Sequence, residues 1–210
     1  MNIVVFGATG LVGKELVRQA LLDGHHVKAY GRNVFVEDLS TDNPKLELIQ
    51  GALFDGGQVF TALKNCDVVL SALGGGIDGT DKTRSLGIKN IVTQMQKASI
   101  KRIIAVGGEG VLNFDEDTLL LDQENYPQEY LAVSKEHLKA YEYLKESDID
   151  WTFVCPPNII AAQATGSFTT YANYVPIVNK NSINTGDIAL FMLKEMSSNA
   201  YVKQRVGISN

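Results

Sequence analysis

Short apolar runs recur along the chain at regular intervals, and longer amphipathic segments separate them. We predict strands at residues 3–6, 27–30, 46–49, 68–73, 103–106 and 151–154. Helices are predicted where apolar residues recur at three- and four-residue spacing, in segments 13–23, 58–63, 86–98 and 130–147. This alternation predicts an α/β fold, a Rossmann-type doubly wound parallel sheet with helices on both faces. In such a sheet the binding crevice lies at the C-terminal ends of the strands.

The periodicity breaks up after the sixth run. Segment 156–182 is polar and aromatic, and we expect it to be a loop that covers a substrate. A short helix at 187–196 and a last strand near 201–206 are expected to extend the same sheet. Segment 107–129 is acidic and irregular, so it should lie at the rim of the crevice. Without a repeat or a linker, the pattern indicates a single domain over 1–210, in which 156–210 forms a small substrate-covering segment.

A glycine-rich loop follows the first strand directly and leads into the first helix. Residues 7–13 read GATGLVG. Glycine at the first position permits a tight turn, at the second it lets the backbone approach a pyrophosphate, and at the third it lets the helix pack close to the strand. An accidental glycine-rich turn is the alternative, but the order of strand, loop and helix favours a dinucleotide site. The residues that we predict to bind this cofactor are Gly7, Thr9, Gly10, Leu11, Val12 and Gly13.

The end of the second strand indicates which dinucleotide is bound. An acidic residue there would accept hydrogen bonds from the ribose 2′-hydroxyl of NAD, but residues 29–33 contain no carboxylate. The guanidinium of Arg32 can instead pair with a 2′-phosphate and stack on adenine. The alternative is a solvated loop arginine. We therefore predict NADP as the cofactor, with NADPH preferred over NADH.

The ends of the third and fourth strands add further candidates for the cofactor site. Residues there are small or apolar, which would let a backbone approach the ligand, although a glycine after a strand is also a common turn. Asp55 is expected to cap the next helix. The predicted cofactor contacts are Ala52 and Leu53 along the adenine and Ser71, Ala72, Leu73 and Gly74 near the diphosphate.

Composition narrows the classes of function. The chain has 210 residues, of which 45% are hydrophobic, and its net charge is -5 with no basic run, which argues against nucleic-acid binding. No apolar stretch approaches the roughly 20 residues of a membrane span, so we expect a cytoplasmic protein without a membrane partner. Cys66 and Cys155 have no metal or redox spacing and are expected to be reduced structural thiols; no metal site is predicted. His25, His26 and His137 are expected to be solvated.

An ordered set of short motifs resembles the atypical short-chain dehydrogenase/reductases, close to the NmrA-like proteins and to flavin reductase (biliverdin-IX beta reductase). The resemblance spans nearly the whole chain. It implies an NAD(P) cofactor, with Lys135 orienting the nicotinamide ribose, Tyr130 and Lys135 as the catalytic candidates, and Pro156 and Asn158 near the nicotinamide. The motifs are GATGLVG at 7–13, GR at 31–32, CDVV at 66–69, KNIV at 89–92, KE at 135–136, PP at 156–157 and DIA at 187–189.

Departures from that family affect the expected chemistry. Flavin reductase has a histidine where this chain has Asn158, and a serine where it reads Gly107-Gly108. Tyr130 and Lys135 are five residues apart, which on a helix turns them away from each other, so the Tyr-x-x-x-Lys pair is out of register. Sugar-nucleotide epimerases resemble the first half, but they carry a larger C-terminal domain.

The chemistry that remains suits a planar acceptor. A flavin or quinone delocalises the charge of an arriving hydride and needs mainly positioning against the nicotinamide. Flat stacking surfaces are available, or alternatively hydrophobic cover, from Phe168, Tyr171, Tyr174, Tyr126 and Tyr130.

Two functions therefore stay open. The first is an NADPH-dependent oxidoreductase that transfers hydride to a conjugated small-molecule acceptor. The second is a non-catalytic NADP(H)-binding redox sensor of the NmrA-like type that acts through a protein partner. A homodimer is compatible with either.

Overall fold

The computed structural model describes residues 1–35, 39, 42–178 and 180–210. Within them the strands are β1 Asn2–Phe6, β2 His26–Gly31, β3 Leu46–Gln50, β4 Val68–Ser71, β5 Arg102–Val106, β6 Asp150–Cys155, β7 Asn158–Ile160, β8 Thr169–Ala172, β9 Ser182–Asn184 and β10 Gln204–Ser209. The helices are α1 Leu11–Leu22, α2 Gly56–Leu63, α3 Thr83–Lys97, α4 Gln128–Lys145 and α5 Thr185–Ser198. Two 3-10 turns, Glu109–Val111 and Leu120–Asp122, follow β5.

Eight strands form one twisted sheet in the order β3-β2-β1-β4-β5-β6-β10-β8. All neighbours pair in parallel except β8, which runs antiparallel to β10. The strand order reverses between β1 and β4, which is the switch point where doubly wound sheets bind their ligands. The predicted Rossmann-type fold is confirmed.

Two apolar layers cover the sheet, one on each face. On one face α1 and α5 pack together through residues such as Leu16 and Ile188. On the other face α2, α3 and α4 bury residues such as Ile91 and Leu144. Burial on both faces explains why the central strands are continuous apolar runs rather than alternating ones. No helix in the described part of the chain is long and apolar enough to cross a membrane.

The prediction of a loop over 156–182 is wrong in part, because three short strands lie within or at the end of this segment. β7 pairs with β9 in a separate two-stranded sheet, and β8 forms the edge of the main sheet. Strands of three or four residues are too short to show a period in the sequence. Asp187, fully buried at the start of α5, anchors the segment by accepting hydrogen bonds from the backbone N–H groups of Thr165 and Gly166, both at 2.8 Å.

The last strand begins three residues later than predicted. Lys203 adopts a φ of 58°, which belongs to a turn and not to a strand, and β10 starts at the next residue. β10 pairs with β6 and thereby extends the main sheet.

Candidate functional site

The loop between β1 and α1 folds as a tight turn against the end of β4. Gly7 has a φ of 77°, and its carbonyl oxygen accepts a hydrogen bond of 3.0 Å from the N–H of Gly10. A Cβ on Gly7 would lie 2.4 Å from the carbonyl oxygen of Ala72, and one on Gly13 would lie 2.0 Å from that of Gly7. Neither position has room for a side chain, in agreement with the turn and packing roles expected for these two glycines.

The N-terminus of α1 is open to an anion. Its N-cap residue is Gly10, which offers no side-chain acceptor, and the first turn holds no acidic residue. The first N–H to find a helical acceptor is that of Lys14, at 2.9 Å from the carbonyl oxygen of Gly10. The N–H groups of Leu11, Val12 and Gly13 therefore lack helical partners, and the helix dipole favours negative charge beside them. Leu11 is 63% exposed, so it would meet a phosphate only through its backbone.

A first cavity of about 420 Å³ lies at the C-terminal ends of β1, β2, β3 and β4. Nine of the predicted cofactor residues line it: Gly7, Thr9, Gly10, Arg32, Ala52, Leu53, Ala72, Leu73 and Gly74. The sequence analysis missed the other lining residues, which are Phe6, Tyr30, Gly31, Gly51, Phe54, Gly75 and Thr83. Ser71 is not in the lining, because its side chain is buried beneath the sheet end, where its hydroxyl has no hydrogen-bond partner among the described residues.

Three of the missed residues, Phe6, Tyr30 and Phe54, are aromatic. Tyr30 donates a hydrogen bond of 3.1 Å to the carbonyl oxygen of Ala52, and its ring packs 4.9 Å from that of Phe6. Burial, followed by the charge of Asp55, raises the pKa of Tyr30 to about 12, so the phenol stays neutral. Phe54 is 61% exposed and presents a flat apolar surface that suits an adenine ring. Its position in the segment that follows the third apolar run was the available signal.

Arg32 is the one charged residue in the described lining of the first cavity. It is exposed, and it makes neither an ion pair nor a hydrogen bond within the part of the chain that the structure describes. No acidic residue stands among the described lining residues. Asp55 accepts a 3.0 Å hydrogen bond from the N–H of Gln58 and caps α2, which confirms the prediction for that residue.

The loop that follows β4 is held in place by its own side chains. Asp81 accepts hydrogen bonds from the N–H groups of Thr83 at 2.8 Å and Gly76 at 3.0 Å. Hydrogen bonding by the Thr83 side chain, followed by these two backbone bonds, lowers the pKa of Asp81 to about 2. Arg84 donates to the carbonyl oxygens of Gly75 and Gly76. A Cβ on Gly74 would meet no atom within 4 Å, so the backbone there faces open space. A glycine cradle, an uncapped helix N-terminus and an arginine that has no partner among the described residues together fit a dinucleotide that carries phosphates.

A second cavity of about 450 Å³ lies at the ends of the neighbouring strands β5 and β6. Three of the predicted residues, Tyr130, Pro156 and Asn158, line it. Because β5 lies beside β4, the two cavities share one edge of the sheet, as the two halves of a dinucleotide crevice do. The sequence analysis placed Tyr126 among the candidate stacking surfaces, but it did not place the polar lining residues Glu109, Ser134, His137 and Asn181 in a site.

His137 is not solvated, so the expectation for this residue is wrong. It is only 9% exposed, and burial, followed by the charge of Arg84, lowers the pKa of the imidazole to about 3, so the ring is neutral. Its Nδ1 has no hydrogen-bond partner among the described residues. A Cβ on Gly108 would lie 2.8 Å from Cδ2 of this ring. The imidazole therefore occupies the space that a serine side chain at position 108 would need.

The hydroxyls of Tyr126 and Ser134 form a second polar group in this cavity. Their oxygen atoms are 2.7 Å apart. Burial raises the pKa of Tyr126, although the hydrogen bond to Ser134 partly offsets it. A Cβ on Gly110 would lie 2.5 Å from the Tyr126 hydroxyl, so a glycine at this position makes room for the pair.

The structure does not bring Lys135 into either cavity. Lys135 is exposed on α4, whereas Ser134 and His137 of the same helix face the second cavity. Because the side chains of successive helical residues point about 100° apart, Lys135 points in a different direction from its neighbour Ser134. Tyr130 lies at the rim of the second cavity and is 45% exposed. Glu136 is buried on another side, where it pairs with Lys82 at 2.8 Å.

The aromatic cluster expected from the sequence is divided. Tyr126 and Tyr130 line the second cavity, but Phe168, Tyr171 and Tyr174 line neither of the two cavities. The ring of Phe168 packs 6.2 Å from Phe191 of α5, and those of Tyr171 and Tyr174 pack against each other. The expectation of a stacking surface is wrong for these three residues, and Phe168 provides hydrophobic cover.

The described residues contain neither a candidate metal site nor a disulfide bond. They contain no group of three or more His, Cys, Asp or Glu side chains that could hold a metal ion. Cys66 and Cys155 are both buried free thiols, and burial raises the pKa of each, that of Cys155 to about 12. The prediction of structural thiols agrees with these positions.

Comparison with known proteins places the chain in a family. Residues 7–199 match the NAD(P)H-binding family. Uncharacterised protein YwnB of Bacillus subtilis is 27% identical over 214 residues, covering 98% of this chain and 96% of YwnB. A Streptococcus pneumoniae structure described as a candidate NADH-flavin reductase has a TM-score of 0.85 and 26% identity, covering 99% of this chain and 98% of that one. A candidate epimerase from Bacteroides thetaiotaomicron has a TM-score of 0.86 and 28% identity, covering 99% and 96%.

These matches confirm the resemblance to atypical short-chain dehydrogenase/reductases seen in the motifs. The candidate reductase and the candidate epimerase are both about as long as this chain. Chain length therefore does not distinguish the two classes of protein. The chain belongs to the NAD(P)H-binding family.

Proposed function

We propose that this protein is an NADPH-dependent oxidoreductase that transfers hydride to a conjugated, planar acceptor such as a flavin or a quinone. The observation that carries the proposal is the pair of cavities on one edge of the sheet. The first offers a phosphate loop with an arginine, and the second offers an apolar chamber with a few polar groups, the usual composition of a small-molecule site. When bound, the reduced nicotinamide supplies the hydride.

The preference for NADPH over NADH rests on Arg32. Its guanidinium is unpaired among the described residues, and the described residues of the cavity wall include no acidic side chain. A 2′-phosphate would find a charge-assisted partner there, whereas the described lining holds no carboxylate that would favour the free 2′-hydroxyl of NADH.

The acceptor class rests on what the second cavity lacks. Lys135 does not line it, so a tyrosine activated by a neighbouring lysine is not available to neutralise an alkoxide. A flavin or quinone spreads the incoming charge over a conjugated ring and depends more on positioning. Tyr126 and Tyr130 offer ring surfaces for a planar molecule. The Streptococcus pneumoniae relative described as a candidate NADH-flavin reductase supports the same class of acceptor.

The test is NADPH oxidation, followed by nicotinamide absorbance, with FMN, FAD and several quinones. Cofactor binding is measured on the same preparation by nicotinamide fluorescence. Turnover well above the uncatalysed rate supports the reductase, and the order of preference among acceptors then describes the second cavity.

A second candidate function is a non-catalytic NADP(H) sensor that acts through a protein partner. The outward direction of Lys135 and the presence of Gly108 and Asn158 where the resembled reductase has polar side chains favour it. A sensor would bind NADPH and NADP with comparable affinity and would reduce neither flavins nor quinones. Tight binding without turnover across the panel would therefore favour this function over the reductase.

A further inference from the structure

The second cavity has a polar wall to which three different parts of the chain contribute. Glu109 comes from the 3-10 turn after β5, His137 from α4, and Tyr126 from the segment that precedes α4. The remaining lining is mostly apolar side chains and glycine. Polar groups that converge on an apolar cavity from separate elements are typical of a site that orients a ligand.

Glu109 is held firmly at the cavity by its backbone. Its N–H donates a hydrogen bond of 3.1 Å to the carbonyl oxygen of Pro156, and its own carbonyl oxygen accepts one of 2.9 Å from the N–H of Leu112. The first bond joins the ends of β5 and β6, the two strands beneath the cavity. These two hydrogen bonds therefore fix the position of the Glu109 backbone beside the cavity.

The carboxyl group of Glu109 has no basic partner among the described residues. It accepts a hydrogen bond from the side chain of Asn181, and no lysine or arginine lines the cavity in the described part of the chain. Burial raises the pKa of Glu109, an effect that the bond from Asn181 only partly offsets. A half-buried carboxyl without a cation keeps its proton to a higher pH than an exposed carboxyl does.

His137 is independent evidence that this wall serves a ligand. More than nine-tenths of the residue is buried, and its Nδ1 has no partner among the described residues. A buried polar atom without a hydrogen bond costs free energy, so in native proteins such atoms commonly face a ligand or a water molecule. The imidazole is neutral and can take part in a hydrogen bond without adding charge to the cavity.

Resting on the proposed function, we infer that Glu109 is the catalytic residue that donates the proton accompanying hydride transfer, to a carbonyl oxygen or ring nitrogen of an acceptor bound beside His137. The O–H bond of Glu109 breaks, and a new O–H or N–H bond forms on the acceptor. The hydride from NADPH brings two electrons, so the acceptor is reduced and the cofactor leaves as NADP⁺. The carboxylate then recovers its proton from solvent.

The groups that titrate near Glu109 set the pH range in which it can act. Tyr126 precedes α4, and Tyr130 and His137 lie within it. Cys155 lies in β6, and Arg205 of β10 donates a hydrogen bond to the nearby carbonyl oxygen of Val111. The pKa of His137 is lowered and those of Tyr126 and Cys155 are raised, so these three stay neutral near pH 7. We therefore expect kcat to be high at low pH and to fall as pH rises through the raised pKa of Glu109.

The experiment compares the full-length protein with Glu109→Gln and Glu109→Asp, using NADPH with 1,4-naphthoquinone or FMN. Glu116→Gln makes the same change at an exposed position and serves as the matched control. Glu109→Gln should lower kcat about 100-fold, the usual effect of removing a general acid, and should abolish the fall of kcat with pH. Glu109→Asp keeps an acid and should retain the pH dependence with an intermediate rate. NADPH affinity should change less than about twofold in both variants.

The outcomes separate this inference from the proposed function. If the wild type binds NADPH but reduces no acceptor, the proposed function fails and this inference fails with it. If the wild type turns over and Glu109→Gln keeps its kcat and pH profile, the inference alone is wrong. If Glu109→Gln instead weakens NADPH binding at unchanged kcat, Glu109 holds the cofactor and is not the proton donor. Thermal unfolding of each variant shows whether a loss of rate follows from a loss of folded protein.

Discussion

Replacement of Arg32 by alanine removes the one charged side chain from the described lining of the first cavity. If Arg32 pairs with the 2′-phosphate, Arg32→Ala should weaken NADPH binding and leave NADH binding nearly unchanged. The backbone of the phosphate loop, which would hold the diphosphate of both cofactors, does not depend on this residue. The two cofactors therefore serve as controls for each other.

The size of the effect follows from the exposure of Arg32. Unit charges about 4 Å apart attract by about 1 kcal/mol in bulk water and about 4 kcal/mol at a protein surface of intermediate dielectric. Arg32 is exposed at a cavity mouth, and charge-assisted hydrogen bonds contribute about 1.5 to 3 kcal/mol. Since 1.4 kcal/mol is a factor of ten, NADPH affinity should fall about 10- to 100-fold. Salt screens exposed charges, so the loss should shrink at high ionic strength.

The assay is a fluorescence titration of NADPH and NADH into the wild type, Arg32→Ala and Arg18→Ala. Arg18 is a suitable control because it lies on α1, where it pairs with Glu15 at 2.6 Å, and lines neither cavity. Its replacement changes net charge by the same amount and should leave both affinities as they are. An equal loss for NADPH and NADH in Arg32→Ala would refute the assignment of Arg32 to the 2′-phosphate.

Three further predictions address the loop, the second cavity and the C-terminal segment. Gly10→Ala should weaken the binding of NADPH and NADH alike by at least about tenfold, because the added methyl group would lie in the phosphate loop, 3.3 Å from the carbonyl oxygen of Gly7. The φ of -74° suits alanine, so the variant should still fold. Unchanged titrations would show that Gly10 does not belong to the site. Gly108→Ser should lower the free energy of unfolding by about 1 to 3 kcal/mol, because its Cβ would collide with His137; a stability equal to that of the wild type in a urea titration would contradict this packing. Asp187→Asn should cost about 1.5 to 3 kcal/mol of unfolding free energy near neutral pH. Burial alone would raise the pKa of Asp187, but its hydrogen bonds outweigh burial and lower it. The stabilisation by Asp187 is therefore present above the unfolded pKa of about 3.9 and is lost as pH falls through the folded pKa. If the difference in unfolding free energy between the wild type and Asp187→Asn did not shrink in acid, the role of this charge would be disproved.

Features that depend on neighbouring residues could be predicted from the sequence. The loop at 7–13 is such a case, because strand, turn and helix follow one another directly and each glycine has a local reason. The cap at Asp55 also depends on residues only three positions away. The parallel sheet with helices on both faces followed from the alternation of elements, and the position of its crevice followed from handedness.

Features that depend on distant contacts could not be predicted. His137 lies near Lys135, Glu136 and Lys139 on a helix, which indicated a solvated face, but the space beside Gly108 accommodates its ring. Glu109 looked like one acid of an acidic segment until the backbone bond to Pro156 placed it at the cavity. Phe168 looked like a stacking surface, but it packs on α5, whose arrangement the local sequence does not reveal.

The central claim is that hydride passes between the two cavities, from NADPH to a conjugated acceptor. The most direct measurement is an anaerobic single turnover in which the absorbance of NADPH and that of FMN or a quinone are followed together after mixing with the protein. The account predicts that both signals fall in the same phase, in equal amounts, and far faster than in the absence of protein. Tight binding of NADPH with no loss of either signal, for every acceptor tried, would contradict it.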